Sequence, residues 1–430
     1  MLGDGLFCLG DWGGRNVPTA ALHCAFMTTG NDQAAAGTSQ PMSVSGFGPV
    51  DPALELVGRH ASQRAVEIEQ ARRLPPDLVL DLIATGVFRR WVPQRYGGSE
   101  HSLLEVMGDI ESMAYHDGST GWCVMIGATS SLLSGYLDPH WAAEIYGNPA
   151  TVVGGYAMPQ GTARPQPNGG LLVSGRWPWG SGTDHCNWIG GGVVVVDDAG
   201  HPTPRADGLR TPYVFFERQE VEIVDVWRTS GLCGTSSNDY QVVDVFVPEG
   251  RWGEFLRAAP VCDGPLYRLP FTAVLALGTA CVGLGLARRA QDEFVSLAGT
   301  KKPALSSRTL AERSAVQASV ATAEAELGAA GSYLRELAGF AWEQALRGSD
   351  PSAEQRRRMR LAATFAMQQS AAAVDRCYHA AGGSAIWQDS ALQRCFRDIH
   401  VATQHGMVAP RTLEPLGRMR LGLPTDARQF

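Results

Sequence analysis

The chain has 430 residues, 44% of them hydrophobic and 18% charged, with a formal net charge of −7. That is enough chain for two or three domains and a substantial core. A mildly acidic chain without basic runs argues against nucleic acid or an anionic membrane as partner.

Residues 1–50 are rich in Gly, Ser, Thr and Ala without periodicity, which predicts a disordered extension, and Met42 offers an alternative start. The opening residues lack the basic and apolar regions of a signal peptide. Residues 51–149 read as an N-terminal helical domain. "DPALELVGRHASQRAVEIEQARR" opens with an Asp-Pro pair suited to N-cap and N1. "PPDLVLDLIATGVFRRWVP" repeats that opening and stops before Pro93, and "SLLEVMGDIESMAYHDGSTGW" carries apolar residues at helical spacing.

Residues 150–262 change texture. Short β-branched and aromatic runs such as "GLLVSGRWPW", "NWIGGGVVVV" and "DYQVVDVFVP" are separated by Gly, Asn, Asp and Pro. They predict an antiparallel β-domain, a barrel or sandwich. Residues 263–430 return to long amphipathic helices, one of them closed by Gly382-Gly383, and predict a four-helix bundle with a tail. The uncharged run 271–287 is shorter than the roughly 20 residues a membrane span needs and reads as a buried helix. The fold class is α+β, in the order helices, β-domain, helices.

Nine cysteines, an odd number without a CxxC pair, argue against a disulfide framework or a metal site and point to a reducing cytoplasm. No P-loop, GxGxxG, HExxH or GxSxG is present. Four stretches carry a resemblance instead: "DGSTGW" (117–122), "GRWPWGSGTDHCNW" (175–188), "GLCGTSSNDYQVVDVFVP" (231–248) and "AGGSAIWQDSALQRCFRD" (381–398). In this order they resemble the acyl-CoA dehydrogenase fold over about residues 55–415. The wording of the β-domain stretch is closer to the flavin-dependent monooxygenase branch, the oxygenase components of two-component systems.

That resemblance implies FMN or FAD delivered reduced by a separate reductase, O2 as co-substrate, a C4a-hydroperoxyflavin, an aromatic small-molecule substrate, and a homotetramer. It also places a catalytic histidine at His405. In many dehydrogenases of the fold a glutamate base follows the Arg-Asp pair, here Arg397-Asp398, but no Asp or Glu occurs between Asp398 and Glu414. An imidazole of ordinary pKa, near 6.5, could hold or remove a phenolic proton around neutral pH. His400, about 140° away if one helix runs through both, reads as structural.

Ser181, in the Gly180-Ser181-Gly182 turn, is the second catalytic candidate, with its hydroxyl or backbone near the flavin N5 edge. Trp177 and Trp179 either wall the isoalloxazine or pack the β-core, and Gly182 lets backbone approach a flat ring. Lys302 and Arg308, beside Lys301, are candidate phosphate ligands or a solvated linker. Gly382 and Gly383 resemble a pair that reaches flavin from a neighbouring subunit, or form a simple C-cap. Trp122, Thr129, Ser130 and Ser131 are substrate-pocket candidates. Several monooxygenases of the branch have another histidine in this stretch, and here there is none. Asp184 and His185 read as structural. The rival readings are an FAD-containing acyl-CoA dehydrogenase and a non-enzymatic ligand-binding scaffold.

Overall fold

The computed structural model describes residues 46–255 and 259–426. Residues 1–45 of the expected extension lie outside that range. Residues 46–50 form a turn, where the Gly46 N–H donates to Glu111 Oε2 at 3.3 Å.

The N-terminal helices are α1 (Pro52–Gln63), α2 (Ala65–Ala71), α3 (Pro76–Ala84), α4 (Leu103–His116), α5 (Gly118–Ser131) and α6 (Pro139–Tyr146). Asp51 caps α1 by accepting from the Ala53 N–H, with Pro52 at the first helical position. A reciprocal capping box between Ser102 and Glu105 starts α4. The run 102–122, read from its apolar spacing as helical, forms two helices that meet at Asp117. That residue is extended (φ −155°) and its carboxylate caps α5 through the Thr120 N–H. A Cβ at Gly121 would meet the Ala114 backbone at 2.4 Å, so only glycine lets α5 turn back this tightly against α4.

The β-region is one seven-stranded sheet. Its strands are β1 (Val153–Pro165), β2 (Leu171–Gly180), β3 (Trp188–Val195), β4 (Tyr213–Glu217), β5 (Glu222–Val224), β6 (Asn238–Val247) and β7 (Trp252–Gly253). They are ordered β5-β6-β2-β1-β3-β4-β7. The sheet is mixed rather than purely antiparallel. β1 and β2 form an antiparallel pair, and the chain then crosses to the far side of β1, so β3 runs parallel to it.

The C-terminal helices are α7 (Phe271–Thr300), α8 (Ser314–Leu346), α9 (Ala353–Ala381), α10 (Ala391–Ala402) and the short α11 (Leu413–Arg420). By length and composition α7 could cross a membrane, but 78% of its most apolar window is buried inside the fold. It is the axis of the molecule, packed on α9 and α10 and on the N-terminal α4 and α5. Each fully buried side chain such as Val274, Leu277 or Val282 contributes about 1.5–3 kcal/mol. A Cβ at Gly285 would meet the Glu111 carbonyl at 2.3 Å, which shows how closely α7 approaches α4.

Candidate active site

α10 ends at Ala402, and His405 lies in the turn that follows it, not on the helix. The 140° argument against a shared face for His400 and His405 therefore does not apply, because no helix runs through both. Their different environments separate them. His400 Nε2 pairs with Asp375 Oδ1 at 2.8 Å and its ring meets Phe396 edge-on, a structural anchor between α10 and α9.

The His405 ring stands edge-to-face against Trp122, with centroids 5.3 Å apart and planes at 79°. Its Nδ1 accepts the Met407 N–H at 3.4 Å, so the neutral ring carries its proton on Nε2. The residue as a whole is half-buried and its ring is deeply set. Burial, and secondarily the Arg360 guanidinium, pull its pKa down to about 4. It is uncharged at neutral pH, and the expectation of an imidazole poised near 6.5 is corrected. Arg360, on α9 and 5% exposed, donates to the Met407 carbonyl at 3.2 Å and thereby ties α9 to the same turn.

Trp122 connects this turn to the sheet. Its Nε1–H donates to Ser181 Oγ at 3.0 Å. Ser181 is 5% exposed and follows the last residue of β2, in a turn where Gly182 takes φ +76°. This turn is stitched to the loop 231–237. The Gly182 N–H donates to the Thr235 carbonyl at 2.8 Å, and Thr183 Oγ1 to the Ser236 carbonyl at 2.9 Å. Ser181 Oγ is 2.7 Å from Ser237 Oγ, which is 2.7 Å from Thr235 Oγ1.

The loop is itself strained, since Leu232 (φ 48°) and Ser236 (φ 46°) are non-glycine residues in left-handed backbone. Two further contacts, from α10 and α5, hold it. Asp398 Oδ1 accepts the Leu232 N–H at 2.6 Å, and Ser119 Oγ accepts the Gly234 N–H at 3.1 Å. Asp398 is 4% exposed, and burial raises its pKa to about 7 against the pull of the Leu232 hydrogen bond. Neither Asp398 nor the hydroxyl row Thr235-Ser237 was a sequence candidate. The signal was the cluster "GTSSND", three hydroxyl residues in a row beside Asn238.

The two tryptophans separate. Trp177 is fully buried, stacked on Tyr240 (5.3 Å, 16°), and its Nε1–H donates to the Gly192 carbonyl. It is β-core and has no open face for a flavin. Trp179 is 59% exposed at φ +56°, 5.8 Å from the Tyr156 ring. Arg411 lies close enough to draw on the Tyr156 phenol electrostatically, and its Nη2 would be 3.2 Å from a Cβ at Gly406. Arg411 is thus the group that relates the Tyr156–Trp179 pair to the Gly406 turn.

Of the pocket candidates only Trp122 reaches this constellation. Thr129 Oγ1 donates to the Met125 carbonyl and its methyl faces Gly278 of α7, while Ser131 Oγ donates to the Ala128 carbonyl. Both hydroxyls are spent on α5 itself. Ser130 is 9% exposed, and its carbonyl accepts the Tyr146 hydroxyl.

Lys302, Arg308, Gly382 and Gly383 lie elsewhere. Lys302 and Arg308 are exposed, and the neighbouring Lys301 Nζ reaches the Ala381 carbonyl at 2.5 Å, which brings that loop to the glycine pair. Arg360 and Ala381 stand on one helix, about 30 Å apart at 1.5 Å per residue. Within one chain, residues at the two ends of α9 cannot touch the same head group. His185 is set against Phe88 and Gly182, and burial holds its pKa near 4, while Asp184 faces Arg73 at 3.9 Å.

A cleft of about 410 Å³ lies apart from this constellation, beside Thr85, Arg90 and His101. Its arginines are committed, Arg89 to the Tyr146, Asn148 and Tyr96 carbonyls and Arg90 to Asp51 and Asp109. Among the described residues no group of His, Cys, Asp or Glu could hold a metal ion.

Comparison with known proteins shows the family. Residues 50–140 match the family described as acyl-CoA dehydrogenase, N-terminal domain, and residues 277–410 its C-terminal domain. The chain is 33% identical over 383 residues to an indole-3-acetate monooxygenase from Pseudomonas putida, covering 89% of this chain and 96% of the relative. It is 29% identical to the oxygenase subunit HsaA of a flavin-dependent monooxygenase from Rhodococcus jostii, covering 84% and 95%. The crystal structure of the HsaA monooxygenase from M. tuberculosis superposes with a TM-score of 0.79 at 28% identity, covering 87% of this chain and 98% of that one.

Proposed function

The chain belongs to the acyl-CoA dehydrogenase family and is an oxygenase component of its flavin-dependent monooxygenase branch, and from that premise we propose that His405 and Ser181 face substrate and flavin across Trp122. The substrate is an aromatic or heteroaromatic small molecule, and the flavin arrives reduced from a separate reductase. The observation that carries the reading is the direct link His405–Trp122–Ser181. It joins the imidazole that would hold the substrate to the hydroxyl that would meet the cofactor.

The residues present fit a flavin. Trp179 offers an exposed aromatic face on strained backbone, and Ser181 beside it offers a buried hydroxyl in a glycine-flanked turn. When bound reduced, flavin supplies the electrons that activate O2 for transfer of one oxygen atom to the ring. The protein's part is to hold and to exclude water. Neutral His405, with Nδ1 occupied by the Met407 N–H, presents Nε2–H as a donor to a polar atom of the substrate. Trp122 fixes the plane of that ring by its edge contact. A dehydrogenase reading would want a carboxylate base here, and the sequence between Asp398 and Glu414 has none.

The phosphate end of the flavin is best served by a second copy. Lys301 brings the loop that carries Lys302 and Arg308 to the Gly382-Gly383 end of α9, which is followed by Ile386 (64% exposed) and Trp387 (67% exposed). Exposed Phe340 and Phe365 lie on α8 and α9. These apolar residues support a homotetramer in which a neighbouring subunit brings that cluster to each site. The seven described cysteines are free, in keeping with a reducing compartment such as the cytoplasm.

A pH profile tests the neutral imidazole. Because the folded pKa of His405 lies near 4, below the ordinary 6.5, the ring stays uncharged down to that value. The acid limb of kcat/KM is expected between about pH 4 and 5, and a limb centred at 6.5 would contradict the assignment. The same depression links to folding. Its stabilising contribution is complete above 6.5 and is lost as pH falls from 6.5 through about 4, so the profile is taken with circular dichroism alongside.

A further inference from the structure

The hydroxyl row behind Ser181 has a direction. Thr235 Oγ1 lies 2.9 Å from the Leu232 carbonyl, which can only accept. That carbonyl also takes the Trp227 Nε1–H at 3.0 Å and the Thr235 N–H at 3.2 Å, and at 2.9 Å an unprotonated Thr235 oxygen would still be repelled by it. The Thr235 proton therefore points to Leu232. Ser237, 2.7 Å from Thr235 Oγ1, must then donate to it, and Ser181, 2.7 Å from Ser237 Oγ, must donate to Ser237. Trp122 Nε1–H can only donate, and it fills one lone pair of Ser181. Ser181 is left with a single lone pair and no proton to offer. The row is dry, with Thr235 0%, Ser237 3% and Ser181 5% exposed, so water does not reset it.

We propose that Thr235 and Ser237 are specificity-determining residues that select reduced over oxidised flavin by fixing Ser181 as a pure hydrogen-bond acceptor. N5 of a reduced flavin carries a proton and donates, whereas N5 of an oxidised flavin presents a lone pair. The acceptor-only Ser181 bonds the first and repels the second. The selectivity originates at the Leu232 carbonyl, whose left-handed residue is pinned by Asp398. The inference rests on the reading that flavin meets Ser181, and it names the residues that set the polarity of that contact.

The test is the ratio of dissociation constants for oxidised and reduced FMN, titrated anaerobically on the full chain and independent of turnover. Wild type is expected to favour reduced FMN. Ser237→Ala frees the Ser181 proton to rotate toward the flavin, and its ratio is expected to fall roughly tenfold, the worth of one such hydrogen bond. Thr235→Val removes the acceptor for the Ser237 proton and should move the ratio the same way. Thr235→Ser keeps the hydroxyl and should hold the wild-type ratio. An unchanged ratio in Ser237→Ala and Thr235→Val, with reduced FMN still bound, overturns the proposal and leaves the functional reading standing. A wild-type chain that binds neither form of flavin overturns both.

Discussion

His405→Ala is expected to retain flavin binding within a few-fold and to lose product formation by roughly 10²–10⁴, the usual worth of a positioned proton-handling side chain. The size of the effect follows from where the ring sits. Its Nδ1 is taken by the Met407 N–H and its edge abuts Trp122, so Nε2–H is the group left to address a substrate. Deleting it removes the donor without touching the Ser181 turn, and flavin affinity should be spared. A second variant separates chemistry from packing. His405→Phe keeps an aromatic edge against Trp122 and removes both nitrogens. A packing role would be rescued by phenylalanine, and the proposed role would not. Turnover near the wild-type rate in either variant, measured as product formed per reduced flavin consumed, would remove His405 from the mechanism.

Asp398→Ala is expected to cost more in folding than any single change at the site itself. The carboxylate is 4% exposed and accepts the buried Leu232 N–H at 2.6 Å. Alanine leaves that donor unsatisfied, at about 1–3 kcal/mol, and adds the cost of the vacated volume. It also releases a loop in which Leu232 and Ser236 hold left-handed backbone, a conformation that survives only where neighbours impose it. The hydroxyl row hangs from that loop, so flavin binding should weaken along with a lowered denaturant midpoint. Asp398→Asn keeps an oxygen acceptor and is uncharged. Since burial already lifts the Asp398 pKa to about 7, the asparagine variant should stay close to wild type at neutral pH. An alanine variant with an unshifted midpoint would contradict the role given to this residue.

How much of this was legible in the sequence can be followed residue by residue. Local chemistry was readable. Asp51-Pro52 announced α1, and the texture change near residue 150 announced the sheet, because capping and side-chain alternation are short-range properties. The tryptophans show where alternation fails. Trp177 and Trp179 are two apart and should share a face of β2. The pairing with β6 shifts register between Trp177 and Gly180, and Trp179 turns to positive φ, so one is core and the other exposed. Extrapolating a helix through His405 failed similarly, because the chain leaves helix at Ala402 with no proline or glycine to mark the end before Gly406.

The parallel pairing of β1 with β3 and the Asp398–Leu232 contact, 166 residues apart in sequence, are products of tertiary packing that no local pattern encodes. The pKa of His405 belongs to the same class. It depends on the burial of the ring and on Arg360, which is brought from another helix.

The central claim is that this chain takes up reduced flavin and governs its reaction with oxygen. It is tested most directly by mixing the protein with reduced FMN and then with O2 in a stopped-flow instrument. The account predicts two separated stages, with oxygen consumed before the absorbance of oxidised flavin returns. A single-stage return at the rate of free reduced flavin would contradict it.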